Sequence, residues 1–416
     1  MASAALYRSS IEDVAATFRQ HVSGSDDTEC AATGAPPRLD GLGAFRRVRF
    51  SPDGSCLMAT CDAGIVPIFQ LPSSTGSGLP LLHSGQKVIN SGEPVIDAVW
   101  CPFMSSPTEN AAVLVSSRNT PLHLMDAETG GLRASYVAID EQSDHIQTAH
   151  ALCWSADEMT DIIAGFEKGV VKVFDVTVEG RVWKMKHKTK YATGIIGSIA
   201  ASKVDASVPL YAVGSLSTNL VELVDPRTRS CGGVLCGHTS GIIQVLFAEQ
   251  EKTVFTASRG SSSKVCVWDL RNIVQPVLEV ARPTEGQQPA YVTLQRSGNS
   301  VRMLAAAADG NIRSASYNSQ KTVWSAGPSV KLGDVTHCCG LEVHPNGTSV
   351  ATCSGYRKYA LRDRWAEAAV TDAPGKKRTR DESKCPTVVL SEIEEEAAGS
   401  KVDVSFVSVH SLPKSW

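Results

Sequence analysis

Apolar positions in this chain alternate in short bursts and then break. Val113-Leu114-Val115 runs into Ser116-Ser117, the cluster Arg118-Asn119-Thr120-Pro121 interrupts, and Leu122-His123-Leu124-Met125 alternates again. Asp126 then leads through a Gly-rich turn to a third run ending at Tyr136. A period of two over a few residues marks a half-buried strand, and Asn, Gly and Pro end it because they reach tight-turn backbone angles. A helical period occurs at Leu6, Ile11, Val14, Phe18 and Val22, which predicts a short docked helix, with a linker from Gly24 to Pro37.

The strand pattern repeats. Apolar residues close the first strand of successive units at Phe50, Trp100, Trp154, Ala200, Phe247, Leu294 and Val343, spaced by 50, 54, 46, 47, 47 and 49 residues. That period fits a blade of four strands, and a blade alone has an apolar face it cannot bury, so the units should close into a ring. Third strands end in an apolar residue plus Asp: Met125-Asp126, Phe174-Asp175, Val224-Asp225 and Trp268-Asp269. The expected architecture is an all-β, seven-bladed WD-repeat propeller over 39–365. A short extension (1–38) precedes it, a charged insertion (366–401) interrupts the last blade, and a closing strand with a tail (402–416) follows.

The unit from Gly237-His238 to Trp268-Asp269 is the most diagnostic. His238, Ser258 and Trp268 are expected to share a hydrogen-bond network that staples the blade, with Ser262 where such blades place an Asp. His238 therefore carries a structural expectation.

Charge changes the picture locally. The 416 residues carry 40 basic and 43 acidic side chains, a net charge of -3, so any basic surface has to be concentrated. Lys376, Lys377, Arg378 and Arg380 form a nuclear-import type cluster, followed by an acidic run from Glu392 to Glu396. The 12 cysteines include no C-x-x-C pair and read as free thiols. No secretory signal, membrane span, cofactor motif, phosphate loop, H-E-x-x-H or G-x-S-x-G element occurs, so neither an enzyme nor a cofactor is expected.

In a blade, the turn between the second and third strands shares one end with the connector into the first. Arg118 and Arg259 occupy two such turns. Lys186, Lys188, Lys190 and Tyr191 are read as the connector into the fourth unit, and Arg46 and Arg47 as the entry to the first. Together they predict a basic, partly aromatic arc suited to phosphates and unstacked bases. An acidic peptide would suit the same arc.

Several segments go beyond general WD-repeat features: IDAVWCPFMSS (96–106), Ser116-Ser117-Arg118 with Pro121-Leu122-His123, Leu132-Arg133-Ala134-Ser135-Tyr136, Thr193-Gly194-Ile195-Ile196 and Trp268-Asp269-Leu270-Arg271. With these the chain resembles the telomerase Cajal body protein family over about 44–355. The resemblance implies binding of a loop motif in H/ACA-type small Cajal-body RNAs, or in telomerase RNA where it carries the motif. It further implies H/ACA ribonucleoprotein and telomerase components as partners, a chaperonin during folding, nuclear Cajal-body localisation and no membrane association. By position it assigns Arg118 and Arg259 to RNA and His238 to blade integrity. Two rivals stand beside it. One is a cullin-RING substrate receptor, suggested by Asp225-Pro226-Arg227 and Asp269-Leu270-Arg271; the other is a general peptide scaffold.

Overall fold

The computed structural model describes residues 5–10, 45–354 and 406–411, apart from short internal stretches, chiefly 72–86, 103–110, 283–289 and 332–337. The described strands form seven antiparallel sheets. The first holds Phe45–Phe50, Cys56–Cys61, Ile65–Gln70 and Lys87–Asn90. The second holds Val95–Trp100, Ala112–Ser117, Leu122–Asp126 and Leu132–Tyr136, and the third Ala151–Trp154, Asp161–Gly165, Val170–Asp175 and Met185–Lys188. The fourth to sixth start at Ile196–Asp205, Ile242–Ala248 and Val292–Ser297. The last sheet is ordered Gly340–Val343, Ser349–Ser354, Phe406–Ser411, Ala5–Ser10. Glu167–Gly169 is the one helical turn among the described residues.

Packing between sheets builds the core. One buried cluster joins Phe45, Phe50 and Leu57 of the first sheet to Ala351, Cys353 and Val409 of the last. Another joins Val265 and Val267 to Met303 and Trp324, with Phe255 edge-on to Trp324 at 4.9 Å. Each sheet thus covers the apolar face its neighbour cannot bury alone. These contacts make the described sheets an all-β propeller.

A recurring bulge aims the inner strands. The register slips between Phe45 and Arg47, Val95 and Asp97, Ile196 and Ser198, and Ile242 and Gln244. A bulge re-aims the residue after it, and here that residue reaches the next sheet each time. Arg47 Nη1 contacts Asp97 Oδ1 at 3.3 Å, and Asp97 Oδ2 accepts the Leu152 N–H at 3.2 Å. Ser198 Oγ accepts the Val245 N–H at 2.8 Å, and Gln244 exchanges two bonds with the Val292 backbone, at 2.6 and 2.8 Å.

Some expectations shift. Phe50, Trp100, Trp154 and Val343 end their strands, whereas Ala200, Phe247 and Leu294 lie inside strands ending at Asp205, Ala248 and Ser297. Ala5–Ser10 is a strand, not the start of a helix, and it pairs with Phe406–Ser411. The physical reason is the free edge: a third strand left exposed offers a row of unpaired backbone groups that a fourth strand can satisfy. The rest of the expected helix, the charged insertion, the import cluster at Lys376, Lys377, Arg378 and Arg380, and Ser262 lie outside the described residues.

Candidate nucleic-acid interface

The turn that carries Arg118 is built by its neighbours. Asn119 takes a left-handed conformation (φ 57°) that lets the chain reverse, and its N–H donates to Thr148 Oγ1 at 2.8 Å. The Arg118 N–H donates to the Pro94 carbonyl at 3.2 Å, and Ser116 Oγ to the Ala149 carbonyl at 2.6 Å. This turn is therefore tied to the connectors entering its own sheet and the next. Arg259 repeats the tie to its own connector: its N–H donates to the Gly241 carbonyl at 3.0 Å, and Ser240 Oγ donates to its carbonyl. Both turns sit at the connector end of the disk. The Arg118 side chain is exposed and that of Arg259 half-buried, and neither forms an ion pair with another described residue.

The lysines divide. Met185–Lys188 is the outer strand of the third sheet, not a connector, so Lys186 and Lys188 project from a strand. Lys186 Nζ meets Glu141 Oε1 at 2.8 Å, and Lys184 Nζ lies 2.7 Å from Asp161 and 3.0 Å from Asp175. The acids come from other strands and from the preceding connector, which is why a run without acids of its own is partly neutralised. Lys188 ends the strand at the connector end and is exposed. Lys190 and Tyr191 do lie in the connector, with Lys190 Nζ 5.0 Å from the Tyr191 ring centre. Glu222, fully buried, fixes this backbone: its oxygens accept the N–H groups of Lys190, Tyr191 and Ala192 at 3.2, 2.7 and 3.1 Å. Tyr191 is left 42% exposed, a ring available for stacking.

Arg46 and Arg47 are placed differently from expectation. Both lie within the inner strand Phe45–Phe50, Arg46 on the bulge and Arg47 turned to Asp97 and over the Tyr291 ring at 4.4 Å. The bulge, which sequence periodicity does not announce, draws Arg47 into the channel.

The structural network also has a different hub. His238 Nε2 and Trp268 Nε1 both meet Thr256 Oγ1, at 2.7 and 2.8 Å. Ser258 is not part of it; its hydroxyl makes 3.3 and 3.4 Å contacts with the Lys264 backbone. Side chains alternate along the strand, and the residue two positions earlier is the one level with the indole. The indole N–H donates to the threonine hydroxyl, and the same hydroxyl bonds His238 Nε2, so one oxygen links the two rings. Burial, with Lys264 and Arg282 nearby, pushes the His238 pKa down to about 4. Gly237 lies beside it, and a Cβ there would stand 3.1 Å from the Trp268 ring, a tight contact that the indole would have to yield to.

One buried cation that the sequence did not flag lies opposite Lys186 in the third sheet. Lys172 is buried, bonds the Ile139 carbonyl at 2.8 Å and lies 4.2 Å from the Trp183 ring centre; burial pushes its pKa down to about 8. Its partners come from two separate loops, one before its sheet and one after its own strand, so no local spacing points to it. In the Asp-x-Arg pairs each arginine meets its own aspartate: Arg227 Nη2 reaches Asp225 Oδ2 at 3.0 Å, and Arg271 grips both Asp269 oxygens at 2.8 and 2.6 Å. No group of three metal-ligating side chains occurs among the described residues, and no described helix is long and apolar enough to cross a membrane.

Ring-forming sheets, inter-sheet staples and the His-Thr-Trp set define a WD-repeat β-propeller scaffold. A family model for the WD domain, G-beta repeat, matches residues 229–269, the unit holding that set. The chain is 30% identical over 327 residues to telomerase Cajal body protein 1 of Mesocricetus auratus, covering 75% of this chain and 58% of the relative. The Homo sapiens protein of that name is 29% identical (75% and 57% covered), and the Drosophila melanogaster homolog 28% (74% and 56%). The chain is a homologue of the telomerase Cajal body proteins, the family its sequence resembles, and it spans just over half the length of these relatives.

Proposed function

We propose that this chain is a non-catalytic RNA-binding scaffold of seven blades. The last blade would be closed by the N-terminal strand and interrupted by the charged segment. In this reading the connector end of the disk receives a loop of an H/ACA-type small Cajal-body RNA, or of telomerase RNA. Arg118, Arg259, Lys188 and Lys190 contact phosphates, and Tyr191 stacks on a base. The protein then holds such particles in nuclear Cajal bodies, in company with H/ACA and telomerase components. The cluster at 376–380 serves nuclear entry, and a chaperonin assists folding. The observation that carries this is the exposed Arg118 on a turn tied by hydrogen bonds to two connectors, without an acidic partner among the described residues. The names of the relatives support the choice of RNA.

The direct test is to crosslink the protein to RNA in its own cells and sequence what is bound. Small RNAs sharing one hairpin-loop motif are expected. Recovery of no RNA above background, or of cullin subunits that resist nuclease, would sink the reading.

A further inference from the structure

Away from the rim, a cavity of about 420 Å³ lies along the central channel, within the size range of small-ligand pockets. The first sheet lines it with Arg47 and Arg49, the second with Asp97 and Trp100, the third with Trp154, and the last with Glu342. The charges do not balance. Arg47 Nη1 and Arg49 Nη2 share one oxygen, Asp97 Oδ1, each at 3.3 Å. That is longer than the roughly 2.7–2.9 Å of a strong charged hydrogen bond. The other oxygen of Asp97 is taken by the Leu152 N–H. Glu342 is engaged by the Phe50 N–H at 2.5 Å, and burial pushes its carboxyl up to about 7, so near neutral pH it offsets only part of the second cation. The wall is left net positive, with two guanidiniums side by side and indoles beyond them.

We propose that the central channel is a second binding site, for a phosphate monoester carried on a flat ring, the chemistry of a nucleoside monophosphate. Two adjacent guanidiniums match a dianionic phosphate, which offers each an oxygen, better than a single carboxylate does. The Trp100 and Trp154 side chains supply the apolar wall a planar ring needs. Such a group could come from a free nucleotide or from the 5′ end of an RNA. The inference does not depend on the rim binding RNA.

The test is calorimetric titration of the full chain with 5′-AMP, adenosine and inorganic phosphate. AMP should bind at least about tenfold more tightly than either fragment, the scale of one charge-assisted contact. Arg47→Met and Arg49→Met should each weaken AMP by about tenfold or more. Since either change could disturb folding, Glu342→Gln provides the control: its amide oxygen can still accept the Phe50 N–H, and loss of the negative charge should tighten AMP several-fold. Arg118→Ala and Arg259→Ala should leave AMP affinity unchanged, which separates this site from the rim. Displacement of AMP by a 5′-phosphorylated oligonucleotide, but not by its 5′-hydroxyl twin, would identify an RNA end as the occupant; failure of both to displace it would identify the free nucleotide. No heat with AMP, or equal affinity for AMP and adenosine, overturns the proposal.

Discussion

Phe50 and Glu342 stand 292 residues apart in sequence, yet the Phe50 N–H donates to Glu342 Oε2 at 2.5 Å. This bond joins the last sheet to the first on the inner wall of the disk. The carboxylate carries it at a cost, because burial has raised its pKa from 4.5 to about 7.

The sign of that shift sets the first prediction. A carboxyl with a raised folded-state pKa binds more protons folded than unfolded between pH 4.5 and about 7. Its contribution is therefore most favourable below that window and declines as pH rises through it. Glu342→Gln should be more stable than wild type at pH 8, by about 1–3 kcal/mol, and the gap should shrink at pH 5. Urea melts at the two pH values check this; a variant equally or less stable at pH 8 contradicts it.

His238 runs the opposite way. Its folded pKa, about 4, lies below the ordinary 6.5, so its stability contribution is intact above pH 6.5 and lost as pH falls toward 4. Below that pH the buried ring must charge, and a charged ring can only donate toward Thr256 Oγ1. His238→Asn should be less stable than wild type at pH 7.5 and should flatten the acid side of the stability profile.

Thr256, rather than Ser258, holds the blade network. Thr256→Val keeps the shape but leaves His238 and the Trp268 N–H unsatisfied, and should cost about 1–3 kcal/mol. Ser258→Ala, which removes only long contacts, should cost under about 1 kcal/mol. Denaturant melts of the two variants rank them, and the reverse order would refute the assignment.

On the rim, ion pairing separates the lysines. Arg118→Ala and Arg259→Ala should weaken RNA binding and reduce the log–log salt slope by about 0.7 per lost phosphate contact. Lys188→Ala should do the same, whereas Lys186→Ala should change little, because Glu141 already neutralises it. Salt-dependent binding curves with a single-stranded hairpin-loop RNA make the comparison. Equal losses for Lys186 and Lys188 would mean that the Glu141 pair does not persist in solution.

The sequence by itself determined most inner strands, their turns and the repeat, because a period of two and the Gly, Asn, Pro and Asp at strand ends are local properties of the chain; it missed the edge strands Ala5–Ser10 and Met185–Lys188, whose strand state depends on the sheet edge they pair with. It also placed Arg118 and Arg259 in equivalent turns, since position within a repeat unit follows from counting. What only the tertiary structure decided is which charges stay free. Glu141 reaches Lys186 from the preceding connector, and a bulge that leaves no trace in the hydrophobic pattern sends Arg47 to Asp97. The shift of the network hub from Ser258 to Thr256 belongs to the same class: it depends on which side chain lies level with Trp268 across the sheet. Ion pairs and inter-sheet hydrogen bonds form between residues brought together by ring closure, at separations of tens to hundreds of residues, where no local spacing can encode them.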